Sequence, residues 1–300
     1  MLEVYPESAA ERDAFILNSR IPARRDERAE LDPRRPWAFF VEEERSKDGE
    51  RVPVATVFLT NRECPWRCLM CDLWKNTLAA SVAAGAIPEQ IDYALGRLPA
   101  ARQIKLYNSG SFFDPRAIPP GDYAAIAERV RSFERVIVEN HPALVGEAAV
   151  RFRDLAGRPL EIAMGLETAH PEILEKLNKR MTLDQFRRAA DFLRANGIDL
   201  RVFILVKPPF MREEEAVEWA ARSVDFAFDC GATAITLIPT RGGNGAMEEL
   251  SFAPPRLDTL EAAFEYGLGL RRGRVFVDLW DVRSDDAARI DRLRRLNLTQ

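Results

Sequence analysis

Three cysteines share one short segment, NRECPWRCLMCDLW, at Cys64, Cys68 and Cys71, a C-x3-C-x2-C spacing. The chain holds four cysteines in all. That is too few for a disulfide scaffold, so clustered thiols are read as metal-binding or catalytic. Three thiolates on one loop can hold three corners of a cubane [4Fe-4S] cluster. Zinc is the competing reading, but a structural zinc site closes with a fourth ligand. The remaining Cys230 lies about 160 residues away near the end of an expected helix, and His141 and His170 are not at paired metal spacing. Among Phe226, Phe228 and Ala232, Cys230 reads as a core thiol. An unused corner argues for a cluster that binds something else there.

Such a loop needs a scaffold, and the pattern around it is regular. Apolar, β-branched runs fall at 54–60, 103–109, 135–140, 160–167, 200–206, 234–240 and 274–279. They are nearly continuous rather than alternating, as in parallel strands covered by helices. Between them lie helical patterns, the clearest being TLDQFRRAADFLRANG. Phe186, Ala189, Ala190 and Leu193 mark its buried face, Thr182 and Gln185 form a capping box, and Gly197 stops it. A second helix is expected from about Glu213 to Phe228, and Pro88 opens a third. The expected fold is α/β, a partial (β/α)6 TIM-type barrel with a short N-terminal extension and a small C-terminal strand–helix addition. A doubly wound open sheet is the alternative. The expected divisions are an extension at 1–50, a core at 51–283 and a terminal helix at 284–300. Residues 1–50 read as polar and irregular, broken by Pro22, Pro33 and Pro36.

In a parallel barrel the strand ends converge on one face, where the cysteine segment also falls. The second strand ends Asn108-Ser109-Gly110-Ser111, which is either a binding strip or an ordinary turn. Glu139 and His141 follow the third strand and Glu167 ends the fourth; each Glu is either a functional carboxylate or a rim ion pair. His170 precedes Pro171 and reads as a helix entry, which leaves His141 as the functional histidine. Arg180 precedes the capped helix and could pair with a carboxylate or be solvated. Lys207 leaves an apolar strand at the mouth, where burial would demand a partner. Glu139, His141 and Lys207 are the catalytic candidates. RGGNG after the sixth strand reads as a turn.

Composition sets outer limits. With 300 residues, 47% of them hydrophobic, the chain can bury a large core. No run of about 18 apolar residues is present, so no membrane span is expected. The N-terminus lacks the apolar core of a secretory signal, and a cytoplasmic location with reduced thiols is expected. A net charge of −4 gives no global footprint for nucleic acid. Arg20, Arg24, Arg25, Arg28, Arg34 and Arg35 lie close together, but Asp26, Glu27, Glu30 and Asp32 are interleaved and read as their partners.

The cysteine spacing after the first strand resembles the signature of the radical S-adenosylmethionine (SAM) superfamily. The resemblance implies a [4Fe-4S] cluster on Cys64, Cys68 and Cys71, whose fourth iron is chelated by the amino and carboxylate groups of S-adenosyl-L-methionine. An electron from the reduced cluster then cleaves the sulfonium, and the 5′-deoxyadenosyl radical abstracts hydrogen. It also implies cofactor contacts from Met70, where an aromatic residue is usual, from Asn108, Ser109, Gly110 and Ser111, and from Glu167 and Arg180. The motifs KLYNSGSFFDP, VENHP, GLETA, NKRMT and LVKPPF, in this order, are similar to the elongator-like branch containing the radical subunit of archaeosine synthase. That subunit cleaves a C–N bond in a lysine-bearing deazaguanine of tRNA. Asn140-His141 departs from the Ser-Arg usual there.

The implied activity is hydrogen abstraction from a small amine-bearing or modified-nucleobase substrate. The implied partners are an external one-electron reductant of the flavodoxin or ferredoxin type and, as a candidate, tRNA; no membrane is involved. With one cysteine outside the motif, no auxiliary cluster is expected. The short segments on either side of the strands leave no room for a cobalamin or acetyltransferase domain. An electron-transfer iron–sulfur protein and a zinc-binding nucleic-acid module are the alternative classes.

Overall fold

The computed structural model describes residues 5–20, 31–280, 282 and 286–300. Arg24, Arg25, Arg28 and their acidic neighbours Asp26, Glu27 and Glu30 lie outside the described residues, as does the expected boundary at 283/284. The chain enters through helix α1 (Ala9–Ser19), capped by Ser8 and Glu11. Strand β1 (Ala38–Arg45) then pairs antiparallel with β2 (Arg51–Phe58). From β2 onward the sheet is parallel and its strands follow sequence order: β3 (Gln103–Tyr107), β4 (Arg135–Glu139), β5 (Leu160–Glu167), β6 (Asp199–Val206), β7 (Ala234–Pro239) and β8 (Arg274–Val277). The crossovers are α2 (Ala86–Leu95), α3 (Tyr123–Val130), α4 (Glu147–Ala156), α5 (Pro171–Lys176), α6 (Leu183–Ala195), α7 (Glu213–Asp229) and α8 (Leu257–Leu270), before the last helix α9 (Ala287–Thr299). The seven expected runs coincide with β2–β8, and α6 carries the expected capping box. The sheet curls into a half-barrel with helices outside. No helix among the described residues is long and apolar enough to cross a membrane.

One expectation fails. The stretch read as irregular up to residue 50 contains α1 and all of β1, and β1 is bonded along its whole length to β2. The cause is chemical. Glu42 and Glu44 of β1 point into the barrel and are neutralised there, so the strand carries carboxylates where an apolar period would otherwise announce it.

The lumen is layered. Outward residues such as Ile104, Leu106, Val136, Val138, Val202 and Ile204 are wholly buried against the helices. The lumen floor, at the N-terminal ends of the strands, is an ion network. Lys105 lies 2.5 Å from Glu44 and 2.9 Å from Glu42, Arg201 2.6 Å from Glu161, and Arg274 2.7 Å from Glu161. Burial would raise the Glu161 carboxyl, but Arg201, Arg274 and Arg135 outweigh it and hold it at about 2.

The barrel does not close. Strands β1 and β8 are the two edges, and α9 packs against both. Its Asn297 and Gln300 amides bond the backbone N–H and C=O of Val277 and Val275, as a neighbouring strand would. The β8 edge is therefore satisfied by side chains, and α9 stands between the two edge strands.

Candidate active site

The cysteine segment leaves β2 and crosses the barrel mouth, held by hydrogen bonds from three other parts of the chain. Leu69 N–H donates to Leu177 O at 2.9 Å, and the Asn178 amide donates to Arg67 O at 2.8 Å. From the loop after β7, the Asn244 amide donates to Leu69 O at 2.6 Å and to Cys71 O at 3.3 Å. RGGNG is thus more than a turn: it braces the cysteines. Arg20, buried at the end of α1, pairs with Glu63 at 3.2 Å. The brace is tight at Gly245, whose φ is +89° and where a Cβ would fall 2.1 Å from Ser19 O.

Cys64, Cys68 and Cys71 line one cavity of about 860 Å³ that runs down into the lumen. Burial pushes all three thiols up to about 12, so they ionise only when a positive centre arrives. The three thiols stand around one shared cavity, an arrangement that fits the separate irons of a cubane.

The strand ends complete the mouth. Glu139 accepts the N–H of Asn108 at 2.5 Å and of Gly110 at 3.2 Å, and so shapes the strip after β3. Burial raises its carboxyl to about 7 even though these N–H groups favour the charged form. Ser109 is held at φ +53°, and its buried hydroxyl has no hydrogen-bond partner among the described residues while it lines the cavity. An orphaned buried hydroxyl beside a carboxyl is what a ligand's amino group would satisfy. Gly110 passes so close that an added Cβ would lie 3.3 Å from the Cβ of Cys64. Ser111 accepts the N–H of His141 at 2.9 Å.

Glu167, at the bulged end of β5 with φ +66°, forms a buried ion pair with Lys179 at 2.7 Å. Burial would lower the Lys179 pKa, but Glu167 and the adjoining Cys68 thiol hold it above the ordinary lysine value. Gly165 makes room for this pair: an added Cβ would fall 2.1 Å from Glu167 Oε1 and 2.7 Å from Lys179 Nζ.

The expected residues do not all meet. Cys64, Cys68, Cys71, Met70, Ser109, Gly110, Ser111, Glu139, His141 and Glu167 line the cavity. Asn108 is fully buried behind it, its carbonyl accepting from Asn61 at 2.6 Å. Arg180 turns outward at φ +59° to Asp13 and the Ala9 carbonyl, both at 2.8 Å. Lys207 leaves the inward alternation of β6 because its φ is +53°; it bonds Ala253 O at 2.6 Å and pairs with Glu213 at 3.2 Å. Lys179 is the cation at the mouth that sequence reasoning passed over. The only sequence signal for it is the Lys-Arg doublet, of which Lys179 lines the cavity and Arg180 faces outward. Cys230 is buried and His170 caps α5, as expected.

His141 lies flat on Trp66 with ring centroids 3.8 Å apart. Its Nδ1 accepts the N–H of Ala143 at 3.1 Å, so its Nε2–H donates to Lys179 O at 3.0 Å and the ring is neutral. Burial, together with the Lys179 charge, pushes its pKa down to about 3. The unfolded chain takes up this proton near pH 6.5, so the stabilisation is complete above about 6.5 and is lost as pH falls towards 3. Urea unfolding from pH 6.5 down to about 4.5 is expected to be steeper for the native chain than for His141→Gln by ~1.4 kcal/mol per pH unit. Equal slopes would show that the ring is protonated in the folded state.

A half-barrel with three convergent thiols at the C-terminal ends of its strands defines a class of enzymes that bind an iron–sulfur cluster. The family model described as the Radical SAM superfamily matches residues 58–220, more than half of the 300 residues, and the chain belongs to that superfamily. Members of this superfamily are enzymes that use a [4Fe-4S] cluster and S-adenosylmethionine.

An archaeosine synthase subunit beta of Methanosarcina acetivorans is 28% identical over 192 residues, covering 60% of this chain and 56% of that one. An uncharacterized protein of Methanocaldococcus jannaschii is 25% identical over 236 residues, covering 74% and 65%. The chain thus spans less than two thirds of the length of these relatives. The first relative agrees with the branch expected from the strand-end motifs. Coproporphyrinogen III oxidase from Escherichia coli, described as a radical SAM enzyme, shares the fold with a TM-score of 0.50 at 11% identity, over 75% of this chain and 53% of that one.

Proposed function

We propose that the chain reductively cleaves S-adenosylmethionine at a cluster held by Cys64, Cys68 and Cys71, and abstracts hydrogen from a small amine-bearing or modified-nucleobase substrate. The observation that carries this reading is that three half-buried thiols, the orphaned Ser109 hydroxyl and the Lys179–Glu167 pair all line one cavity. When bound, the cluster and cofactor supply one-electron cleavage of the sulfonium and hydrogen-atom abstraction. The chain's own residues bind and orient. The Ser109–Gly110 strip with Glu139 takes the cofactor's amino group, and Lys179 takes its carboxylate in the role first given to Arg180. Met70 packs against the adenine, and the free oxygen of Glu167 accepts from the ribose. The Trp66–His141 stack keeps water from the cluster side of the mouth.

The nucleobase class is supported by the relative named archaeosine synthase subunit beta. A net charge of −4 offers little for long tRNA contacts, so a tRNA substrate would be held by a small local patch or a partner chain. The electron comes from a flavodoxin- or ferredoxin-type donor in the cytoplasm.

Anaerobically reconstituted protein with dithionite is expected to convert S-adenosylmethionine into 5′-deoxyadenosine and methionine, faster when substrate is present. An intact cluster with deoxyadenosine at the level of a protein-free control overturns the reading.

A further inference from the structure

Below the cysteine loop the cavity continues to the edge strands β1 and β8, through residues outside the 58–220 stretch that the family defines. A chain of aromatic rings circles the lumen there. Trp280 stacks on Phe40 at 6.3 Å, Phe40 meets Phe58 at 5.8 Å, Phe58 meets Tyr107 at 6.0 Å, and Tyr107 meets Phe203 at 6.2 Å. Phe276 closes the belt from β8, in register with Thr236 and Phe203. The Thr236 hydroxyl is buried on this belt without a hydrogen-bond partner.

One charge on the belt also lacks a cation of its own among the described residues. Asp278 follows β8 and faces Arg241, Glu42 and Lys105. Both cations are already committed: Lys105 to Glu44 at 2.5 Å and Glu42 at 2.9 Å, and Arg241 to Asp72 at 3.3 Å. One oxygen of Asp278 accepts the N–H of Trp280 at 2.8 Å. Its carboxyl is raised by burial, the expected state of a carboxylate short of a cation. Opposite it, Glu42 is tied to Thr56 and Lys105 through a single oxygen.

We propose that this chamber is the specificity pocket: it takes a flat unsaturated ring against the aromatic belt, with a basic nitrogen between Asp278 and Glu42. The first strand and the turn after the last one would thus supply the charge recognition. This deepens the proposed function, on which it rests, because it places the amine of the substrate between β1 and the end of β8. Aromatic faces sandwich a flat ring, and the half-buried Asp278 carboxylate favours a cation over its neutral isostere more than a fully solvated charge does, with the more exposed Glu42 adding to it.

The test is equilibrium binding of benzamidine, a planar cation, and benzamide, its neutral isostere, to the anaerobic cluster-loaded protein, with no turnover required. Benzamidine is expected to bind at least ~10-fold more tightly than benzamide, a preference of ~1.4 kcal/mol. Asp278→Asn and Glu42→Gln should each shrink that preference, and together bring it to within about 2-fold. Both variants should fold: the amide of Asp278→Asn keeps an oxygen for Trp280 N–H, and in Glu42→Gln Lys105 keeps Glu44. Their iron content and melting temperature check this. Equal binding of the two probes, or a preference that survives the double substitution, overturns the pocket. So does displacement of benzamidine by S-adenosylmethionine, which would make the belt part of the cofactor site. Because no cleavage step enters, a protein that passes this test yet produces no deoxyadenosine would retain the pocket and lose only the proposed reaction.

Discussion

Cys64→Ala, Cys68→Ala and Cys71→Ala are each expected to abolish the brown chromophore, take iron far below the ~4 per chain of a loaded cubane, and reduce deoxyadenosine formation to background. The effect should be all-or-none because, among the described residues, no further thiol lines the cavity, and His141 is locked by hydrogen bonds on both ring nitrogens. Cys230→Ala should leave iron and turnover intact, since that thiol is buried at the end of α7 behind the sheet, and should cost only packing. The measurement is iron and sulfide analysis with visible and electron paramagnetic resonance spectra after anaerobic reconstitution. Stoichiometric zinc without iron in anaerobically purified protein would return the site to the zinc reading.

The contrast between these cysteines and the rest of the mouth shows what the sequence could carry. The thiols were legible because function and position rest on one local spacing, and the loop needs only three residues of one type to declare itself. Strands β2–β8 were legible for a related reason: they are covered on their outer faces and read as short apolar runs bounded by breakers. β1 was not, because its lumen-facing positions are Glu42 and Glu44, whose partners Lys105 and Arg201 come from strands far along the chain. No local period can encode a carboxylate neutralised across a barrel. Arg180 and Lys207 were misplaced by a different mechanism. Both sit at strand or helix junctions with positive φ, and a single left-handed residue reverses which side chain faces the cavity. Asn244 escaped notice because bracing another loop leaves no mark on its own.

Lys179→Met follows from that reversal and should separate cofactor binding from cluster assembly. The ammonium is buried with Glu167 at 2.7 Å, and both residues line the cavity that holds the cysteines. Removing it leaves a buried carboxylate without its cation, at a cost of about 3–5 kcal/mol if Glu167 stays ionised. The variant is expected to load iron normally, to bind S-adenosylmethionine at least ~100-fold more weakly and to lose cleavage. Arg180→Ala should change cofactor affinity by less than about 3-fold, because the pair it makes with Asp13 is half exposed and worth at most about 1 kcal/mol. The double variant Lys179→Met/Glu167→Gln distinguishes a binding role from a merely structural one. With both partners neutral, most of the lost stability should return, since a buried pair removed together leaves no orphaned charge. Cofactor affinity should not return with it. Recovery of affinity along with stability would mean that Lys179 only props the mouth open; if Arg180→Ala weakens binding as much as Lys179→Met, the outward arginine turns inward when the cofactor arrives.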